Sequence, residues 1–384
     1  MENRIYFDNG STSWPKAPGV AQAVEKLLTE GAFNINRGNY EGAYEVEGMV
    51  LETRDQLADL FQAPSSRNVI FTPGITYSLN YFIKGFLRSG DHVIITGIEH
   101  NAVMRPLWQM KAEGVAFDVA KTDEEGTVDP ESVEKLIRKE TKAVIVSHAS
   151  NVCGTIVPLR EIGEICRRHH IFFVVDSAQS AGTLEINIKE WGIDFLTFTG
   201  HKGLLGPQGI GGFVVSEELD QEMAPLIAGG TGSQSDSYEM PRMLPDKYES
   251  GTMNLPGIAG LHAALSYLQA AGISRIYEKK MELTGYFLEQ TREIPDLRVV
   301  GKQGVQDRTA VVSIDFQKID NAQAAFELEQ RYGIMTRVGL HCAPLAHKTL
   351  GSYPRGTVRF AFSGANTKDE IDICVKGIRE LFSV

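Results

Sequence analysis

The stretch Phe195-Leu-Thr-Phe-Thr-Gly-His-Lys-Gly-Leu-Leu-Gly-Pro-Gln-Gly-Ile-Gly-Gly212 sets a single lysine, Lys202, at the end of an apolar run and inside a glycine-rich bend. A lysine placed there is held by its surroundings rather than solvated. Upstream, the continuous apolar run Ile171-Phe-Phe-Val-Val175 delivers Asp176 at its carboxyl end, with Gln179 one turn further on. Two expected strands therefore end in an acid and an amine. Working outward, Asn68 to Thr72, His92 to Thr96, Val115 to Ala120 and Ala143 to His148 read as further strands. Between them, helical spacing runs from Pro73-Gly-Ile-Thr76 to about Leu87, then over 102–113, 130–138 and 158–169. This βα alternation predicts an α/β protein with a mostly parallel, helix-covered sheet. Ligands of such sheets sit beyond the carboxyl ends of the strands, where the candidate residues of this chain fall.

The chain has 384 residues, more than one hydrophobic core usually serves, so two lobes are expected. The larger spans 16–257; the smaller, an α+β domain, takes 1–15 and 258–384. In the smaller one, a long helical pattern from Ile258 to about Thr291 precedes strands at 309–316, 334–336 and 357–362 and helices at 322–332 and 367–382. With 42% hydrophobic and 23% charged residues the composition is that of a globular protein. A formal charge of −11 without a Lys/Arg run excludes a nucleic-acid partner. No apolar run approaches the ~20 residues of a membrane helix, and Met-Glu-Asn-Arg is no signal peptide. A cytoplasmic protein is expected. Its four cysteines, Cys153, Cys166, Cys342 and Cys374, have no Cys-x-x-Cys spacing, which suits free thiols and no bound metal. Cys166 and Cys374 fall on apolar helical patterns and read as packing residues.

A held lysine beside a carboxylate able to pair with a pyridinium nitrogen is the equipment of pyridoxal phosphate (PLP) chemistry. The motifs Val-Asp-Ser-Ala-Gln179 and Thr-Gly-His-Lys202 resemble the Asp/Gln and Schiff-base lysine motifs of class V, fold-type I PLP enzymes, and among these the group II cysteine desulfurases and selenocysteine lyases. The resemblance runs from Tyr6-Phe-Asp-Asn to the last helix. It implies that Lys202 carries PLP, that Asp176 pairs with the ring nitrogen, and that Gln179, Thr199 and His201 contact the cofactor. His100, in Glu-His-Asn-Ala, is implied to stack on the ring and move protons. Asn151, in Ser-Asn-Val-Cys-Gly-Thr155, is implied to meet the phenolate oxygen and the substrate, with Cys153 a buried filler at a variable position. The phosphate falls to Gly74, Ile75 and Thr76, where a helix start offers backbone donors; Ile75 replaces the usual second threonine and offers only its N–H. Gly251 and Thr252, in a long Gly/Ser/Pro-rich stretch, are implied to reach the phosphate of a neighbouring subunit, hence a homodimer. The polar segment Asn34–Tyr40 is a rim for the site or a surface connection.

The stretch Arg337-Val-Gly-Leu-His-Cys342-Ala-Pro-Leu-Ala-His347 is the second informative one. A cysteine beside His341 in a Gly- and Pro-punctuated turn has the setting of an exposed, partly ionised thiol. The segment resembles the cysteine loop of group II desulfurases, whose cysteine attacks the sulfur of the bound substrate; Leu340 stands where that group has a second histidine. Arg359 matches the arginine that grips the substrate carboxylate, and Arg337 is a second anion contact. The implied reaction takes L-cysteine to L-alanine with a persulfide on Cys342 and a sulfur-acceptor protein as partner. Selenocysteine lyase, a class V aminotransferase or other lyase with an idle Cys342, and a low-turnover PLP-binding partner in sulfur transfer remain open alternatives.

Overall fold

The computed structural model describes residues 4–35, 38, 40–234 and 236–382. Asn36, Arg37 and Asn39 of the turn-rich segment lie outside the described residues. Strands β1 (Ile5–Tyr6), β2 (Val69–Thr72), β3 (His92–Thr96), β4 (Ala116–Ala120), β5 (Thr141–Ser147), β6 (Phe172–Asp176), β7 (Phe195–Thr199) and β8 (Gly211–Val215) come first. They are followed by β9 (Leu297–Val300), β10 (Val311–Phe316), β11 (Ile334–Met335), β12 (Arg337–Gly339) and β13 (Thr357–Ala361). The helices are α1 (Val20–Glu30), α2 (Glu41–Phe61), α3 (Ile75–Phe86), α4 (Asn101–Ala112), α5 (Pro130–Lys135), α6 (Leu159–His169) and α7 (Ile188–Trp191). After them come α8 (Glu217–Glu222), α9 (Leu255–Ala271), α10 (Ile273–Thr291), α11 (Asn321–Tyr332), α12 (Pro344–Thr349) and α13 (Lys368–Leu381).

The large sheet has seven strands in the order β2-β8-β7-β6-β5-β3-β4. The pairs from β7 through β6, β5 and β3 to β4 are parallel, and β8 runs antiparallel to both β7 and β2. Residue alternation splits the sheet between two cores. Ile94, Val144, Val146, Phe173, Val175 and Leu196 pack on one face with α2, α6 and α9, while Val93, Ile95, Ala143, Ile145, Val174 and Phe195 pack on the other with α3 and α4. Burial on both faces is why these strands read as unbroken apolar runs.

The smaller sheet, β12-β13-β10-β9, is antiparallel and has one face on a separate core. Val312 and Ile314 of β10 and Val358 and Phe360 of β13 point into that core against Phe287 of α10, Leu328 of α11 and Ile378 of α13. Their alternation sends Ser313 and Arg359, which are register partners, to the opposite face. The chain start joins this side: β1 pairs with β11 in parallel.

Three local expectations change. The long helical pattern from Ile258 to Thr291 is two helices, because Gly272 at φ 80° breaks it between α9 and α10. Of the stretch read as a Gly- and Pro-punctuated turn, Arg337–Gly339 is an edge strand and Pro344–Thr349 a short helix. The glycine-rich Gly211-Gly212 is strand β8; a Cβ at Gly212 would stand 2.1 Å from Ile70 O, so only glycine lets β8 lie between its neighbours.

Candidate active site

Strand β6 ends in Asp176, which is 3% exposed, and the adjacent β7 ends three residues before Lys202. Asp176 Oδ1 accepts the Ala178 N–H at 2.8 Å. Burial raises the pKa of this carboxyl, while the Ala178 bond and the charge of Lys202 work against the rise. Burial lowers Lys202 to about 8, with Asp176 pulling the other way. The Lys202 amine makes no hydrogen bond among the described residues.

The turn that carries Lys202 closes on itself through Leu205 N–H to Lys202 O at 2.9 Å and Gly206 N–H to Gly200 O at 2.8 Å. It packs backbone to backbone on the turn after Asp176: a Cβ on Gly203 would lie 2.3 Å from Ala181 O. The chain start seals the other side. The His201 carbonyl accepts from Ser13 N–H at 2.9 Å, Ser13 Oγ and Thr12 Oγ1 at 3.1 Å, and Lys16 Nζ at 3.0 Å. Nothing in the sequence pattern of the arm announces these partners. His201 Nδ1 is buried without a hydrogen-bond partner among the described residues, and burial lowers its ring to about 4.

His100 caps α4, its Nδ1 accepting the Ala102 N–H at 3.0 Å, which leaves Nε2 for the site. Burial, then the charge of Lys202, lowers it to about 4, so the ring is neutral at pH 7. The preceding Glu99 is fully buried, and its carboxylate accepts from Thr96 Oγ1 at 2.5 Å, Ser147 N–H at 3.0 Å and Ser147 Oγ at 2.8 Å. Glu99 thereby ties the end of β3 to the end of β5 and fixes where His100 begins its helix. Sequence reasoning gave Glu99 no part; the signal was an acid placed between apolar Ile98 and the histidine.

Gly74 is the N-cap of α3, and Ile75 and Thr76 open its first turn, whose N–H groups have no intrahelical acceptor. A Cβ on Gly74 would meet only Thr199 Oγ1, at 3.8 Å, so the end of β7 brings its hydroxyl to this helix start. Gln179 Nε2 donates to Gly10 O at 3.0 Å. Gly251 and Thr252 are exposed, apart from the charged cluster, and Thr252 lines a cavity of about 240 Å³ with Thr72, Pro73, Gly209 and Ile210. Their segment is anchored by Glu249, which accepts the Phe71 N–H at 2.6 Å and pairs with buried Arg54 at 2.5 Å.

The register of β12 and β13 sets Arg337 directly opposite Arg359. Like charges so placed repel, and the start of the chain offsets them. Arg359 Nη2 donates to Asp8 Oδ1 at 2.8 Å and Ser11 Oγ at 2.7 Å, and Arg337 Nη1 donates to the same Ser11 Oγ at 2.9 Å. The buried Arg359 Nε has no hydrogen-bond partner among the described residues. Arg337 Nη2 lies 3.6 Å from Cys342 Sγ.

Cys342 is exposed, and Cys153, Cys166 and Cys374 are buried. His341 and Cys342 both adopt left-handed backbone, φ 48° and 57°, which non-glycine residues rarely hold without compensation. Two asparagines supply it: Asn151 Nδ2 donates to His341 O, and Asn101 N–H to Cys342 O, each at 2.8 Å. Asn151 thus braces the cysteine turn with the amide expected to face the cofactor. The expectation that His341 supports a thiolate changes as well. Its ring is buried on Thr357 Oγ1 at 2.9 Å and pushed down to about 2 by burial, then by Arg359, so it carries no charge. The cation beside the sulfur is Arg337.

His100 and Lys202 both lie within the fields of Arg337 and Arg359, and Asp176 within that of Lys202, so residues scattered over 260 positions converge on one pocket of charge. The aminotransferase class-V family profile matches residues 5–374. The chain belongs to this family. It is 33% identical to a "probable cysteine desulfurase" of Methanothermobacter thermautotrophicus over 386 residues, covering 99% of this chain and 95% of that one. A protein of the same name from Halalkalibacterium halodurans is 33% identical over 98% of this chain and 92% of its own. Among solved structures, the apo cysteine desulfurase of Thermococcus onnurineus NA1 superposes with a TM-score of 0.92 at 32% identity, covering 99% and 95%. The S-sulfonic acid form of an Escherichia coli cysteine desulfurase gives 0.89 at 26% identity, covering 98% and 94%.

Class V aminotransferases are PLP enzymes, and the donor set here fits that cofactor. It offers an amine without a hydrogen-bond partner, a buried carboxylate with one backbone donor on Oδ1, an unpartnered ring nitrogen on His201 and an open helix start at Gly74. No helix among the described residues is long and apolar enough to cross a membrane.

Proposed function

We propose that this chain is a PLP-dependent cysteine desulfurase that converts L-cysteine to L-alanine and holds the removed sulfur as a persulfide on Cys342. The observation that carries the reading is one exposed cysteine whose Sγ lies 3.6 Å from the Arg337 guanidinium, with Arg359 opposite Arg337 in the register of β12 and β13. The names borne by its relatives point the same way.

Gly74, Ile75 and Thr76, with Thr199 and His201, would hold the cofactor phosphate, Asp176 a proton on the ring nitrogen, and Gln179 and Asn151 the phenolate side. PLP, when bound, supplies the electron sink that lets an α-proton leave. Lys202 Nζ takes that proton, since an amine lowered to about 8 is partly neutral under working conditions. Neutral His100 would lie against the ring, with Nε2 free to move protons. Arg359 takes the substrate carboxylate as a fork, with Ser11 Oγ giving up its place as acceptor, and Arg337 assists. The Cys342 thiolate then attacks the substrate sulfur. A new S–S bond forms as the Cβ–Sγ bond breaks and the electron pair stays on Cβ; the proton given up by the Cys342 thiol and the one taken by Lys202 are returned, one to Cβ and one to Cα, and the product is alanine.

An exposed persulfide suits delivery to a sulfur-acceptor protein. Free cysteines suit the reducing cytoplasm. The exposed Gly251 and Thr252 suit a homodimer in which each subunit completes the other's phosphate site, and the pairing of β1 with β11 suits a small domain of 1–15 and 258–384 beside a large one of 16–257. The test is alanine, sulfide and selenide formation by holoenzyme and Cys342→Ala on L-cysteine and L-selenocysteine, with mass mapping of trapped sulfur. Loss of sulfide formation and a persulfide on the Cys342 peptide are expected, with part of the selenocysteine activity surviving. Full cysteine activity in the variant, or a persulfide on Cys153, would favour the aminotransferase or simple lyase alternatives.

A further inference from the structure

The buried face of α10 carries Lys280, Thr284, Phe287 and Thr291, and Lys280 is the one charged residue on it, 7% exposed. Its Nζ reaches a single hydrogen-bond partner among the described residues, Thr183 Oγ1 at 3.3 Å, and it forms no ion pair there. An ammonium has three donors and a full charge. Taking both out of water with one hydroxyl in return is costly unless something else meets them.

Lys280 lines a cavity of about 40 Å³ between the turn after Asp176 and the small sheet, at the start of β10 and the end of β13. Among the described residues its lining contains two lysines, Lys202 and Lys280, and no acidic side chain; it borders the candidate active site through Lys202, Gln179 and the turn residues Gly203 and Leu205, with Lys280 and Thr183 on its far side. Four of the neutral donors around it are already engaged. Ser13 Oγ donates to His201 O, Thr309 Oγ1 to Gly154 O, Asn9 Nδ2 to Ala361 O and Ser363 Oγ to Asn366 Oδ1. A void of this size has room for about one or two water-sized species and for nothing organic.

We propose that this cavity is a binding site for a small inorganic monoanion of halide size, held by the Lys280 ammonium and the Thr183 hydroxyl. An ammonium whose cavity is lined by no acidic side chain among the described residues favours an anion over water, whose dipole offsets less of the charge. The ion ties α10 to the turn after Asp176, joining the two sheets behind Lys202. Burial lowers Lys280 to about 8. An ordinary lysine in the unfolded chain keeps its proton to higher pH, so the uncompensated charge weakens the fold at pH 7, and an anion that binds only the folded protein restores stability.

The test uses the holoenzyme at pH 7 with bromide as probe and gluconate, too large for the cavity, as control. Bromide is expected to raise the melting temperature of the wild type by a few degrees in a saturable manner, and gluconate not to. In gluconate, Lys280→Met is expected to melt above the wild type, and bromide to narrow that gap; Thr183→Val, a milder change, is expected to weaken the bromide response. Crystals of the unmodified holoenzyme soaked in bromide are expected to show an anomalous peak at Lys280 Nζ, a readout that depends on no variant. Water alone at that position, a bromide response equal in wild type and Lys280→Met, or a gap that bromide leaves unchanged would each overturn the proposal in favour of a neutral, simply buried amine.

Discussion

Lys202 lies just beyond a fully buried strand and sits in a turn that closes through its own backbone, whereas Cys342 stands exposed on two left-handed residues braced by asparagines from elsewhere in the chain. At the lysine the environment is dense. Gly203 touches Ala181, the His201 carbonyl takes four donors, and desolvation acts on the amine itself. At the cysteine the side chain is open, and the cost is stored in backbone dihedrals instead. A group that must change protonation profits from burial, which moves its pKa toward neutrality. A group that must meet a partner outside the protein needs exposure, and strain can aim it without covering it.

That contrast is open to experiment, beginning with the largest effect. Lys202→Ala should lower turnover of cysteine by about four orders of magnitude while leaving the urea midpoint of the apoprotein unchanged or higher, since a desolvated amine is removed. Rates and unfolding curves on the same preparations check this. A variant that keeps a tenth of the activity would remove the lysine from its side of the comparison.

The dense side should also show a pH signature through Glu99, raised from 4.5 to about 7 by burial. The folded state then binds its proton more tightly than the unfolded state does. The stability this contributes is complete below pH 4.5 and is lost as pH rises to 7, a change of about 3 kcal/mol. Comparing wild type with Glu99→Gln in urea across that window isolates it: the difference between the two should fall with rising pH, and a flat difference contradicts the argument.

Substituting the two turns should give opposite signs. Gly203→Ala puts a Cβ 2.3 Å from Ala181 O and 2.7 Å from Thr183 Oγ1, and should cost about 2 kcal/mol or more through backbone shifts. Cys342→Gly, though inactive in sulfur transfer, relieves one left-handed residue and should raise stability by up to about 1 kcal/mol, less the entropy a glycine adds to the unfolded chain. Chemical denaturation of both variants measures the pair. Destabilisation at Cys342 of the size seen at Gly203 would mean that the cysteine turn is packed rather than strained.

Much of the dense side was legible in the chain. Doubly buried strands leave continuous apolar runs, and in a parallel sheet the residues just past each run lie at the same end, which is how His100, Asn151, Asp176 and Lys202 could be grouped from sequence. Cys342 was singled out among four cysteines because the others sit in apolar or tight surroundings, and its exposure agrees. The role of His341 was misjudged, since a histidine next in sequence is not next in space: the left-handed turn sends its ring under the strand to Thr357.

The sequence by itself determined the order of elements, the layering of the large sheet and the residues at its strand ends, because period and burial are local properties of the chain. Only the tertiary structure decided that Arg337 faces Arg359 across two strands, that Ser11 from the chain start bridges that pair while Asp8 meets Arg359, and that Lys280 has no acidic partner among the described residues. Those facts depend on the register of a short edge strand and on contacts between segments hundreds of residues apart. No local pattern encodes them, since they arise from which surfaces the packed cores leave facing one another.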